Sequence, residues 1–304
     1  MSTYRAAIIG CGRMARGHVH GFLEAGIPGV AGADILPTAR EKWRAQYGPE
    51  QRLYTAVRQM RAEVRPELGA VVTPEQAHCA AVVACAEAGV KGIICEKPLA
   101  MDLTETSYMA DACRLAGAVL TVSHQRHYSP QYTAARELIE QGAIGKVQSC
   151  VAISKYQCMM TDACHTIHMM LDLMGWPRPT HLIGAIDGNS DYVYFGHRAE
   201  DFWSPTGQPP ERWLVREVHG AEVKVIPVTF PKSRGDITLE IEDLIRSIET
   251  GAPHPLDATT RGRTIMEVMI GIYESARRRG VVHFPVQVPD NPFLAMVEAG
   301  VFPR

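Results

Sequence analysis

Two short motifs and one helical pattern in this chain combine residue types that do chemistry together. Gly10-Cys11-Gly12-Arg13-Met14-Ala15 follows an apolar run at 4–9 and opens a helical pattern. Glu96-Lys97-Pro98 ends a second apolar run at 92–95. Between 161 and 175, Asp162, His165 and His168 recur at three-residue spacing, which puts them on one face of a helix. The glycine turn suits a dinucleotide. Gly10 permits the tight turn, Gly12 leaves room for a pyrophosphate, and Ala15 lets the helix pack close to the sheet. The helix N-terminus offers free N–H groups and partial positive charge to the phosphates. Lys97 offers an ammonium that stabilises a developing alkoxide, and His165 an imidazole that takes a hydroxyl proton. Together these point to hydride chemistry on a nicotinamide cofactor. The plainer readings are a turn kept only for packing, a structural Glu96–Lys97 ion pair, and a buried histidine pair.

Further residues fit the same cofactor. Asp34 ends the second apolar strand, just over twenty residues past the glycines. A carboxylate there accepts hydrogen bonds from ribose hydroxyls and repels a 2′-phosphate, favouring NAD over NADP. Arg40 nearby argues the other way, and an N-cap is the plainer role for Asp34. Thr73, Pro74, Glu96 and Lys97 all fall at strand carboxyl ends, where ligands gather in an open α/β sheet. His78, on the first turn of the next helix, is either a cofactor contact or an ordinary surface or capping histidine.

The elements that must position these residues alternate over the first ~120 residues. Strands are expected at 4–9, 30–34, 69–73, 92–95 and 118–122, and helices at 13–25, 38–47, 75–88 and 103–116. That rhythm predicts a doubly wound parallel sheet of Rossmann type. The expected division is a dinucleotide-binding domain over 1–123 and a substrate-binding and oligomerisation domain over 124–304.

Composition narrows the partners. The chain has 304 residues, 46% of them hydrophobic, enough for two cored domains. The net charge of −2, with no long basic run, argues against nucleic acid and anionic membranes. No apolar stretch is long enough to cross a bilayer, and no signal peptide is expected, since the first strand is entered at once. The eight cysteines show no C-x-x-C spacing, as expected for reduced thiols in a cytoplasmic protein. Cys158, Asp162, Cys164, His165 and His168 lie within eleven residues. Cys164 points around the helix from His165 and the spacing matches no usual zinc pattern, so no metal is expected.

The chain resembles the Gfo/Idh/MocA family of nicotinamide-dependent oxidoreductases. The resemblance rests on the glycine turn, on Val71-Val72-Thr73-Pro74 followed by His78, and on Glu96-Lys97-Pro98. Ser123-His124-Gln125-Arg126-His127-Tyr128-Ser129-Pro130 and Gly142-Ala143-Ile144-Gly145-Lys146-Val147 agree. It implies an NAD-dependent dehydrogenase of a secondary alcohol on a sugar, cyclitol or related polyol. Lys97 would bind the substrate oxygen. His165, matched by its distance to Leu173-Met174-Gly175, would be the base, with Asp162 orienting it or touching substrate. His168 stands where the family usually has aspartate. Gln125, Arg126, His127, Tyr156 and His168 are expected to line the cleft between domains, an interdomain hinge being the plainer role for the first three.

The resemblance also implies a C-terminal α/β domain with an open, mostly antiparallel sheet, often the interface of a homodimer or homotetramer. Its expected elements are a helix at 130–141, strands at 147–155 and over 217–228, and helices at 161–175, 236–250 and 259–278. Two relatives' activities are alternatives: NAD-dependent cleavage of a glycoside through transient oxidation, and nucleotide sensing without turnover.

Overall fold

In the computed structural model, residues 4–152, 159–186 and 234–301 are described, with the backbone of four short strands between 193 and 226. Ala6–Ile9 (β1), Val30–Ala33 (β2), Leu53–Tyr54 (β3), Leu68–Val71 (β4), Gly92–Cys95 (β5) and Val119–Val122 (β6) form one sheet in the order β3-β2-β1-β4-β5-β6. Every pairing in it is parallel. The order reverses at β1, which lies between β2 and β4, so the ligand crevice opens at their carboxyl ends. β1, β4 and β5 are buried along their whole length, which is why they read as continuous apolar runs rather than alternating ones.

Ala15–Glu24 (α1), Pro37–Tyr47 (α2), Val57–Glu63 (α3), His78–Glu87 (α4) and Leu103–Ala116 (α5) are the crossover helices. Asp102 caps α5 by accepting from the Glu105 amide, and Gly117 ends it in the left-handed conformation. β3 and α3 are too short to carry a periodic signal. A 3₁₀ turn, Glu75–Ala77, precedes α4, and β4 ends at Val71, two residues earlier than expected.

Beyond β6 come Pro130–Glu140 (α6) and Cys164–Leu173 (α7), the latter preceded by a π-helical turn, Met159–Ala163. The backbone is already helical at 159, so the expected start near Thr161 is corrected to an earlier one. The strand expected at 147–155 does not form over its described part, 147–152. No ladder partner meets it there among the described residues, and Val151 stands 88% exposed. His181–Leu182 (β7), Val193–Tyr194 (β8), His197–Arg198 (β9), Val215–His219 (β10) and Glu222–Ile226 (β11) follow. β8–β9 and β10–β11 are antiparallel pairs. The chain then forms Asp236–Thr250 (α8), Arg263–Arg278 (α9), Val282–His283 (β12) and Pro292–Glu298 (α10), with β12 pairing antiparallel to β7. A π-helical turn, Ala258–Gly262, leads into α9, and Asp257 caps it.

Packing crosses the expected boundary at 123/124. Ile241 and Leu244 of α8 share one buried cluster with Ala6, Ile8 and Ile94 of the sheet. Gly17 and Gly21 let α8 approach α1 closely; a Cβ on Gly21 would sit 2.9 Å from Ile237 Cγ2. After α8, the Val122 amide donates to the Leu256 carbonyl, extending hydrogen bonding at the β6 edge. Among the described residues the seven cysteines are free, and no helix is long and apolar enough to cross a membrane.

Candidate active site

The crevice begins at the glycine turn. Gly10 has φ +99°, and a Cβ there would lie 2.7 Å from the Val72 carbonyl oxygen, so the turn accepts only glycine. At Gly12 a Cβ would meet nothing within 4 Å; that side faces open space. Ala15 is buried against the sheet, while Arg13 and Met14 are exposed at the rim. No side chain caps the N-terminus of α1, which leaves its first amides suited to an anion. Asp34 is bound to the same turn. Its Oδ2 accepts from the Cys11 amide at 2.7 Å and its Oδ1 from the Leu36 amide at 2.8 Å. Each oxygen keeps a second lone pair for a ligand hydroxyl. The Arg40 guanidinium donates to the Asp34 backbone carbonyl.

At the far end of the crevice, two buried histidines flank Lys97. His18 of α1 lies with Nε2 2.9 Å from Glu96 Oε1. Burial pushes Glu96 up, but the hydrogen bond from His18, together with the charge and amide of Lys97, outweighs it and holds the carboxyl below its ordinary value. Glu96 therefore pairs with His18 through its side chain and also accepts from the Lys97 amide, at 3.3 Å. On the other side His78 spans two backbone carbonyls, Pro98 at 2.8 Å and Thr73 at 3.0 Å. It is neither a surface nor a capping histidine: it is 1% exposed and both ring nitrogens face the protein. Burial lowers its pKa despite the two carbonyls, and a neutral ring donates to one of them at a time. Thr73 Oγ1 is buried without a partner. Pro74 precedes the 3₁₀ turn, and the Lys97–Pro98 peptide is cis. Lys97 itself is half-buried.

Across from this corner the 3₁₀ turn Gln125–Tyr128 meets α7. His165 is buried, and its Nδ1 lies 3.5 Å from Nδ1 of His124, with the rings edge to face. Burial first, then His124 and the charges of Lys97 and Arg126, drive His165 well below its ordinary pKa. Burial and Lys97 push His124 down to about 3. Both rings are therefore neutral at ordinary pH. Asp162, expected to orient His165, forms an ion pair with Arg126 at 2.8 Å, with the guanidinium 41% exposed.

The other two histidines form the wall behind His165. His127 Nδ1 lies 3.2 Å from Asp172, which Arg136 and the Trp176 indole N–H also reach. Burial would raise Asp172, but these bonds, led by His127, hold it well below the usual carboxylate range. His168 is 1% exposed. It stacks on His124 at 4.8 Å and meets His127 and Trp176 edge-on. Neither of its ring nitrogens has a hydrogen-bond partner. It packs as a flat apolar plate, and burial, then His124, keep it neutral. Gln125 Oε1 is likewise buried without a partner. Tyr156 and Cys158 lie outside the described residues. Among those described, no group of three or more His, Cys, Asp or Glu could hold a metal ion.

Sequence reasoning assigned no role to His18, His124, Asp172 or Glu240. Glu240, on α8, is fully buried and accepts from Ser123 Oγ at 2.9 Å. Burial pushes it up to about 8, against the pull of Ser123. A charged residue inside the apolar stripe of α8 was the available signal. His124 lay inside a noted motif with no spacing rule to single it out.

Residues 4–124 match the Gfo/Idh/MocA family, described as an oxidoreductase family with an NAD-binding Rossmann fold. Over this segment the chain is similar to the Gfo/Idh/MocA oxidoreductases. Inositol 2-dehydrogenase of Rhizobium meliloti is 32% identical over 158 residues, covering 50% of this chain and 46% of that protein. The chain spans less than half the length of the curated relatives it matches. The aldose-aldose oxidoreductase of Caulobacter crescentus, solved with glycerol, superposes with TM-score 0.74 at 18% identity, over 93% of this chain and 100% of that one. The WlbA dehydrogenase of Bordetella pertussis, solved with NADH and UDP-GlcNAcA, gives 0.73 at 20%, over 94% and 100%. These two likenesses establish the shared fold.

Proposed function

We propose that the protein is an NAD(H)-dependent oxidoreductase acting on a secondary alcohol, or its ketone, of a sugar, cyclitol or related polyol. The observation that carries this reading is that Lys97, just past the carboxyl end of β5, lies near enough to the buried His165 of α7 for its charge to act on that ring. The Lys97 charge is among the causes that keep His165 unprotonated, and an unprotonated imidazole is what a base requires. Inositol 2-dehydrogenase among the relatives, and the NADH-bound Bordetella structure among the neighbours, agree with the substrate class and cofactor.

The residues present fit a dinucleotide: space opens beside Gly12, the α1 N-terminus is uncapped, and Asp34 has lone pairs to spare. The Asp34 carboxylate favours NAD over NADP. When bound, the nicotinamide supplies the hydride acceptor or donor. The protein positions and polarises. Lys97 donates to the substrate oxygen and stabilises it as an alkoxide develops, His165 takes the hydroxyl proton, and Arg126, held by Asp162, orients a neighbouring hydroxyl. Assembly into a homodimer or homotetramer through the antiparallel strands of the C-terminal part belongs to the same proposal.

A polyol panel followed by NADH absorbance tests the reading. Turnover on at least one member supports it, and silence across the panel despite tight NADH binding counts against it. Release of sugar from chromogenic glycosides without net NADH would indicate the eliminating relatives instead. Lys97→Ala should remove most of kcat while NADH binding persists; in a sensor it would change little.

A further inference from the structure

We propose that His124 is the positioning residue that holds His165 in the tautomer a general base needs. The proposal rests on the dehydrogenase reading only in assigning His165 to a substrate hydroxyl; the contact itself does not depend on it. The two Nδ1 atoms face each other at 3.5 Å with the rings edge to face at 83°. Two lone pairs aimed at one another repel, so one Nδ1 must carry a proton and the other must accept it. With both rings neutral, only two arrangements exist. If His165 carries Nδ1–H, its Nε2 lone pair is left for the substrate proton. If His124 carries it, Nε2 of His165 holds a hydrogen and cannot act as base.

The rest of the cluster favours the first arrangement. Once His165 takes a proton on Nε2, the ring bears hydrogens on both nitrogens, and its Nδ1–H needs an acceptor. His124 supplies one without any change of its own. Among the described residues, His124 touches His165, and the charges of Lys97 and Arg126 and the His168 ring act on it from nearby. Lys97 and Arg126 are cations with no lone pair to offer, and the carboxylate of Asp162 is engaged by Arg126. His168 fixes the plane of His124 by stacking on it at 17°. This also gives the histidine at 168 a role: a flat, uncharged plate behind the orienting ring, where a carboxylate would bring a charge into a buried site.

The test combines ring-nitrogen NMR with kinetics on full-length protein. Histidine-selective 15N labelling, with His165→Gln to assign the signal, reports which nitrogen of His165 carries the proton. The expected result is Nδ1–H. In His124→Phe, which removes the acceptor, the signal should shift toward the Nε2–H form. There kcat should fall about 10- to 100-fold, the usual range for a partner that orients a reactive group, while the NADH Kd stays within about threefold. His124→Asn offers an amide oxygen and should recover most of the loss; it also serves if the phenylalanine variant folds poorly. The proposal is overturned if wild-type His165 carries its proton on Nε2, or if His124→Phe leaves tautomer and kcat unchanged. Should the wild type turn over no polyol, the dehydrogenase reading fails, and the tautomer still decides the role of His124.

Discussion

His18 and Glu96 meet 2.9 Å apart in an enclosed pair that ties the glycine-turn helix to the corner bearing Lys97. The side chains are 0% and 6% exposed, so neither falls back on water if the other is lost. The same pair thus links the helix after the glycine turn to the strand end that carries Lys97. Leaving a buried carboxylate without its hydrogen-bond partner costs at least about 1–3 kcal/mol. His18→Leu should lower stability by that order in urea denaturation, and kcat should fall as the Lys97 backbone loses its anchor. A variant as stable as the wild type would show that the pair is dispensable.

Gly10 and Gly12 should fail in different ways. Gly10→Ala forces a Cβ against the Val72 carbonyl at a positive φ, a strain of about 1–3 kcal/mol, visible as a lower Tm without ligand. Gly12→Ala meets no protein atom and should leave Tm unchanged while weakening NADH at least about tenfold, through contact with the pyrophosphate. Fluorescence titration and thermal melts on both variants separate the effects.

Asp34 should govern the choice of cofactor. Asp34→Ser removes the acceptor for a ribose hydroxyl and the charge that repels a 2′-phosphate, with Arg40 alongside. The ratio of NADPH to NADH dissociation constants should fall by about tenfold or more, a change of about 1.4 kcal/mol. An unchanged ratio would place the discrimination elsewhere.

Stability should peak near neutral pH and fall on both sides. His124 and His254 are neutral in the folded protein, pushed down by burial to about 3 and about 4. Unfolded histidine takes a proton below about 6.5. The unfolded state therefore binds more protons there, and stability drops as pH falls from about 6.5 toward those values. Glu240 acts the other way. Its folded pKa of about 8 lies above the ordinary 4.5, so its contribution is full below about 4.5 and is lost as pH rises through 8. Glu240→Gln should flatten the alkaline limb of a Tm profile over pH 4–9 and steepen the acid limb between about 4.5 and 6.5, where Glu240 opposes the histidines.

The sheet and the nucleotide crevice were legible because buried parallel strands are continuous apolar runs and the glycine turn has a fixed place among them. α5 and α8 matched their expected bounds because each combines an amphipathic stripe with a terminal glycine. Over 147–152 the expected strand does not form, because an extended segment becomes a strand only where an edge is present to pair with it, and among the described residues none meets it there. Lys97, Asp162, Arg126 and His165 could be named from motifs and spacing. The bonds among them could not, since Asp162 turns to Arg126 and His165 to His124 across about 40 residues of chain. His168 could be marked as a departure, but its stacked, unbonded state depends on His124 and Trp176, which no local pattern brings together.

The placement of α8 bears on how the protein comes into being. The nucleotide-binding half leaves the ribosome long before the helix that seals one side of its sheet. Until residues 236–250 are synthesised, Ile8 and Ile94 lack the apolar cover of Ile241 and Leu244. A nascent chain stalled at residue 123 should therefore recruit chaperones and resist purification as a separate fragment, and supplying the missing helix in trans should rescue it.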